Sequence, residues 1–158
     1  MKKIVIADDN KILLEQIKKG LSENEEIEII GTAQNGIEEL ELIEKLNPDI
    51  AVTDIEMPEM TGIEVIEQTE KIGSTTEFIV ITGAITSNEI LKKLSSLSIR
   101  NIIYKPFDIK QVIDDILKES EVINTNEGKE TDIKIITNEK VGFIDKIKRL
   151  LRKLKKKQ

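Results

Sequence analysis

Lys3-Ile4-Val5-Ile6-Ala7-Asp8-Asp9-Asn10 begins as an apolar, β-branched run and stops abruptly at two carboxylates and an amide. An apolar run without polar alternation reads as a strand covered on both faces. A helical pattern follows at Ile12, Leu13, Ile17 and Leu21, and the same couplet then recurs along the chain. Ile27–Ala33 is a second strand, ended by the punctuation of Asn35-Gly36, and the next helix carries Ile37, Leu40, Ile43 and Leu46 before Pro48. Ile50–Thr53 is a third strand, with a helix after Gly62 marked by Val65, Ile66 and Ile72. Phe78–Thr82 and Asn101–Tyr104 are the fourth and fifth strands. The helices after them carry Ile90, Leu91, Leu94 and Leu97, and then Val112, Ile113, Ile116 and Leu117, with Asp108 placed to cap the last. Five strand–helix repeats in residues 1–120 predict an α/β fold, a doubly wound five-stranded parallel sheet with helices on both faces.

In such folds the site lies beyond the carboxyl ends of the strands, near the point where the strand order reverses. The first strand ends in Ala7-Asp8-Asp9-Asn10, the third in Thr53-Asp54, the fourth in Thr82 and the fifth in Lys105-Pro106. If the first and third strands are central neighbours, Asp8, Asp9 and Asp54 converge and repel one another. A hard divalent cation with oxygen ligands relieves that repulsion, and Mg²⁺, which works with carboxylates and phosphate oxygens, is the natural choice. Thr82 offers a hydroxyl to a phosphoryl oxygen, and Lys105 offers a point charge. Together they form an electrostatic cradle for in-line phosphoryl transfer to a carboxylate nucleophile. Each residue alone is ordinary: strand ends meet loops, and Asp9 or Asn10 equally suits a helix cap. Four of them on four strand ends are harder to dismiss.

Composition narrows the chemistry. There is no Cys and no His, so thiol chemistry is excluded and any imidazole must come from another molecule. Aromatics are 3%, too few for a single-strand stacking surface. No apolar run approaches the roughly 18 residues of a membrane span, which makes a cytoplasmic location the default expectation.

Asp8-Asp9, then Asp54-Ile55-Glu56-Met57-Pro58 with Gly62, then Thr82, then Lys105-Pro106-Phe107 resemble the receiver domain of bacterial two-component response regulators, the CheY-like superfamily. The resemblance covers residues 1–120 and implies a flavodoxin-like receiver fold. It implies that Asp54 accepts a phosphoryl group from a phosphohistidine on a sensor histidine kinase or histidine phosphotransfer protein. It further implies that Asp8, Asp9, Asp54 and the backbone carbonyl of Glu56 hold Mg²⁺. Lys105 would bond the phosphoryl group, Thr82 would swing toward it, and Pro58 and Gly62 would shape the loop into the third helix. Such a chain is a regulatory phospho-acceptor rather than an enzyme acting on others. The sequence departs from the family in three places. Ile102 stands where an aromatic is usual, with Tyr104 next to Lys105 instead. Gly83 replaces a common Ala, and Leu97-Ser98-Ile99 replaces a Gly-Ala pair.

The net charge divides unevenly. Residues 1–120 hold 13 Lys+Arg against 24 Asp+Glu, or −11, whereas residues 121–158 hold 11 against 6, or +5. Residues 121–140 read as a polar linker in which Ile133, Ile135 and Ile136 suit a short strand. Residues 141–158 form a basic amphipathic helix, with apolar positions at 143, 144, 147, 150, 151 and 154. That stripe fits docking on the receiver or on a second copy as a homodimer. It also fits an anionic membrane surface, peripheral on the inner membrane face, or non-specific nucleic-acid contact. The tail is too short for an ordinary helix-turn-helix output domain, so sequence-specific DNA binding is not expected.

Two other function classes stay in view. One is a receiver-fold scaffold whose tail carries the function with little phosphorylation. The other is an aspartyl-phosphate phosphohydrolase, whose usual signature sets nucleophile and acid two apart on the first strand, where this chain has Asp8 and Asn10.

Overall fold

The elements run in strict alternation: β1 (Lys2–Ala7), α1 (Lys11–Ser22), β2 (Ile27–Ala33), α2 (Gly36–Leu46), β3 (Ile50–Thr53), α3 (Gly62–Lys71), β4 (Glu77–Thr82), α4 (Asn88–Ser96), β5 (Ile99–Tyr104) and α5 (Ile109–Leu117). This computed structural model describes residues 1–83, 87–119, 149–154 and 156. The linker 121–140, with its expected short strand, lies outside the described residues. So does most of the tail 141–158, and with it the membrane-surface, nucleic-acid and homodimer readings of that segment; residues 149–154 are helical. No helix among the described residues is long and apolar enough to cross a membrane.

The chain divides into two units. Met1–Ile85 with Leu97–Leu117 form one, and Thr86–Ser96 with Lys118–Gln158 the other. The second unit contains α4, with Leu91 and Leu94 buried. The first contains the sheet, all parallel, in the order β2-β1-β3-β4-β5. β1 therefore lies between β2 and β3, and the order reverses at β1. The register Ile4↔Ile50 to Ala7↔Thr53 sets the carboxyl ends of β1 and β3 level.

The central strands β1, β3 and β4 are apolar along most of their length because both faces are covered. Ile4, Ile6, Ile50, Val52, Ile79, Ile81 and Ile103 share one core with Leu14, Ile17 and Leu21 of α1 and Val112 and Ile116 of α5. The alternate residues face α2 and α3, which pack on each other. The two helix faces nearest the site differ from the simple hydropathy pattern. In α1, Asn10 caps the helix by accepting the Ile12 and Leu13 N–H groups at 3.1 and 3.2 Å. The helix starts at Lys11, Leu14, Ile17 and Leu21 turn inward, and Ile12 is left 74% exposed. In α2, Asn35 caps the Glu38 N–H at 2.8 Å, and Gly36 lies hard against the Met60 carbonyl. That close approach sets the helix phase, so positions 36, 39 and 43 face inward. Ile37 is turned out, and Glu39 is enclosed.

α3 begins with a reciprocal cap. Thr61 Oγ1 accepts the Glu64 N–H at 3.2 Å, and Glu64 Oε2 accepts the Thr61 N–H at 2.8 Å. Gly62 sits where any β-carbon would overlap the Asp54 carbonyl oxygen and crowd Thr53 Cγ2. Gly62→Ala is therefore expected to cost about 2 kcal/mol in urea denaturation. Gly83→Ala, at an exposed position with open space around it among the described residues, is expected to stay within about 0.5 kcal/mol.

Candidate functional site

Because Ala7 and Thr53 are register partners, the residues that follow them emerge side by side. The Asp54 N–H donates to the Ala7 carbonyl at 3.1 Å, which fastens the two strand ends. Asp8 and Asp54 are almost enclosed, at 2% and 6% exposed, whereas Asp9 is exposed. Carboxylate oxygens of Asp8, Asp9 and Asp54 all lie within 4.8 Å of one another.

Lys105 reaches Asp8 and Asp54 from the end of β5. Its own N–H donates to the Thr82 carbonyl at 2.7 Å, holding the strand ends together, and the Lys105–Pro106 peptide is cis. Its Nζ donates to Asp8 Oδ2 and Asp54 Oδ2, each at 2.9 Å. Asp8 Oδ1 also accepts the Asn10 N–H at 2.8 Å. One ammonium thus bridges two buried carboxylates and offsets a repulsion that would otherwise favour protonation.

The protonation chemistry follows this geometry. Burial pushes the Asp54 carboxyl above its ordinary range, and Asp8 pushes it further the same way. The Lys105 bond and charge and the Glu56 N–H, which also bonds the Asp54 carboxylate, hold it down only in part. Burial opposes the Lys105 charge, but its bonds and attraction to Asp8 and Asp54 prevail, so its ammonium is held above the usual lysine value. Thr82 ends β4 buried, on the strand between those of Asp54 and Lys105.

Asp8, Asp9, Asp54, Thr82 and Lys105 therefore lie at the carboxyl end of the sheet, as the strand pattern predicts. Glu56 follows with its side chain exposed and its N–H on the acceptor carboxylate. Ile102, at the usual aromatic position, is buried. Tyr104 is partly buried, with its hydroxyl unpartnered among the described residues, and burial raises its pKa. One polar residue beside the site escaped the sequence reading: Glu39 on α2, wholly enclosed, which accepts a hydrogen bond from the Thr53 hydroxyl. Its signal was an acid at the third position after Gly36 and the fourth before Ile43, in the inward arc of the helix.

A doubly wound parallel sheet with three carboxylates and a lysine gathered at its topological switch point is the arrangement of a receiver domain. The match to the response regulator receiver domain runs over residues 4–117, and the chain belongs to that family, the regulatory receivers of two-component signalling. The transcriptional regulatory protein YesN of Bacillus subtilis (strain 168) is 35% identical over 115 residues. That match takes in 72% of this chain but 31% of YesN, so the chain spans about a third of that relative's length. A LuxR-family DNA-binding response regulator from Staphylococcus aureus superposes with TM-score 0.69 at 26% identity, covering 73% of this chain and 96% of that one. CheY-type similarity extends to a CheX–CheY–BeF₃–Mg complex from Borrelia burgdorferi, with TM-score 0.65, 26% identity and coverage of 73% and 86%.

Proposed function

We propose that Asp54 is the phospho-acceptor of this receiver and takes its phosphoryl group from a phosphohistidine on a sensor histidine kinase or phosphotransfer protein. The observation that carries this reading is the convergence of Asp8, Asp9, Asp54 and Lys105 at the switch point. An Asp54 carboxylate oxygen forms the new bond to phosphorus as the bond from phosphorus to the donor imidazole nitrogen breaks. The imidazole departs with that electron pair. Lys105, released from its bond to Asp54, turns its ammonium to the incoming phosphoryl oxygens, and the Thr82 hydroxyl donates to another. Burial disfavours the Asp54 anion, and Lys105 and the Glu56 N–H both favour it.

The donor set fits Mg²⁺: three clustered carboxylates, two of them buried, supply hard oxygen ligands and a negative charge that one lysine neutralises only in part. Asp8, Asp9, Asp54 and the Glu56 carbonyl would hold it. When bound, it would supply positive charge for the phosphoryl oxygens. No step depends on an imidazole from this chain, consistent with a composition that has none.

The donor's approach has a physical counterpart beside the site. A cavity of about 570 Å³ lies between α1 and the start of α5, lined by Leu13, Gln16, Ile17, Lys105, Phe107 and Ile109. The outward Ile12 stands on the same helix. An apolar surface next to Lys105 suits a partner helix that presents its phosphohistidine to Asp54.

Asp54→Asn is expected to abolish labelling by a phosphohistidine donor and by acetyl phosphate with Mg²⁺, and chelation is expected to abolish it in the wild type. Undiminished labelling of Asp54→Asn would reject the assignment.

A further inference from the structure

We propose that Glu39 is a positioning residue for Asp54, acting through Thr53, and that loss of the Glu39 proton loosens the end of β3 that presents the acceptor. The contact lies on the face of the sheet opposite the α1–α5 core. Glu39 Oε1 accepts the bond from Thr53 Oγ1, and Thr53 is the residue that precedes Asp54. Glu39 Oε2 is buried without a partner among the described residues. Two close approaches bind the same region into a single block. Gly36, one turn before Glu39, packs on the Met60 carbonyl, and Gly62 packs on the Asp54 carbonyl. A movement of α2 at position 39 therefore has Thr53, and with it Asp54, directly in its path.

A carboxylate enclosed without a cation cannot keep its charge at low cost, so the neutral acid is the form that fits. Burial raises the Glu39 pKa to about 8, and the Thr53 hydroxyl offsets only part of that rise. None of the surrounding charges contributes. These are Glu38, Glu41, Glu44 and Lys45 on α2 itself, Asp8 beyond β1, Glu28 on β2 and Asp54 beyond β3. Glu56 and Glu59 in the loop and Glu64, Glu67, Glu70 and Lys71 on α3 complete the set. The chain holds no His or Cys whose titration would overlap that of Glu39.

The functional consequence rests on Asp54 being the acceptor, but the structural coupling does not, and the experiment separates them. The full chain, as wild type, Glu39→Gln and Thr53→Val, is followed by NMR from about pH 6 to about pH 9.5. In the wild type the Asp54 amide resonance is expected to move with the midpoint of the Glu39 side-chain carboxyl. In Glu39→Gln, which keeps the acceptor oxygen but cannot ionise, that movement is expected to vanish. In Thr53→Val, Glu39 should still titrate without moving Asp54. An Asp54 amide that ignores Glu39 in the wild type, or moves equally in Glu39→Gln, overturns the proposal. If Thr53→Val fails to fold, the comparison with Glu39→Gln decides. In parallel, labelling by acetyl phosphate with Mg²⁺ should fall between pH 7 and about pH 9 roughly 10-fold more in wild type than in Glu39→Gln. Parallel profiles overturn the positioning role. No labelling of any variant at any pH refutes the acceptor assignment instead and leaves the NMR comparison to judge Glu39.

Discussion

Lys105→Ala is expected to lower the unfolding free energy of chelator-treated protein by about 2–3 kcal/mol and to slow phosphoryl acceptance roughly 100-fold. Two carboxylates share the one ammonium, each at 2.9 Å, and both are almost fully enclosed. Removing a partner from a fully buried pair costs about 3–5 kcal/mol. The Lys105 side chain is 26% exposed, so water screens part of that interaction and the expected cost falls below that range, to about 2–3 kcal/mol. Loss of the lysine leaves Asp8 and Asp54 facing each other, and their repulsion drives Asp54 further toward the protonated form, which is no nucleophile. Titrating Mg²⁺ into the variant should recover much of the stability. It should recover little of the rate, because a cation at the carboxylates does not replace the ammonium that receives the phosphoryl oxygens. Urea denaturation with and without chelator, beside acetyl phosphate labelling, measures both quantities. A variant as stable as wild type in chelator would show that the carboxylates do not need the lysine.

Glu39 gives the second large effect, read in pH. Its pKa is raised from 4.5 to about 8 in the folded chain. Between those values the folded state holds a proton that the unfolded state has released. Stability therefore falls as pH rises through that window: the contribution is complete below the unfolded value and lost above the folded one. Every tenfold gain in proton affinity on folding is worth about 1.4 kcal/mol, so the total is on the order of 5 kcal/mol. Glu39→Gln cannot ionise and is expected to lack this slope. It should be the more stable protein at about pH 9, and the two curves should converge toward the acid side, near about pH 4.5. Denaturant midpoints across that range provide the measurement. Equal slopes in the two proteins would mean that Glu39 ionises normally.

These two residues also mark how far the sequence could be read. Lys105 was legible because a parallel sheet delivers every strand's carboxyl end to one rim. Asp8, Asp54, Thr82 and Lys105 each end an apolar run, so topology alone brings them together. The strands were legible for the related reason that burial on both faces leaves no polar alternation. Glu39 was not, because helix phase in α2 is set by the Asn35 cap and by Gly36 against the Met60 carbonyl. Neither is visible in hydropathy, which places Ile37 inward and Glu39 in solvent. Ile12 misled in the same way: the Asn10 cap gives the inward face to Leu14, Ile17 and Leu21. The departure at Ile102 was visible as a substitution, and the structure adds that this side chain is already buried.

That Asp54 carries the phosphoryl group can be tested at the level of the bond. Wild-type chain treated with acetyl phosphate and Mg²⁺ and then reduced with borohydride converts an aspartyl phosphate to homoserine, which peptide mass spectrometry assigns to a position. The expected result is homoserine at position 54, lost on chelation. Homoserine at position 8 or 9, or none under conditions that modify a control receiver, would contradict it.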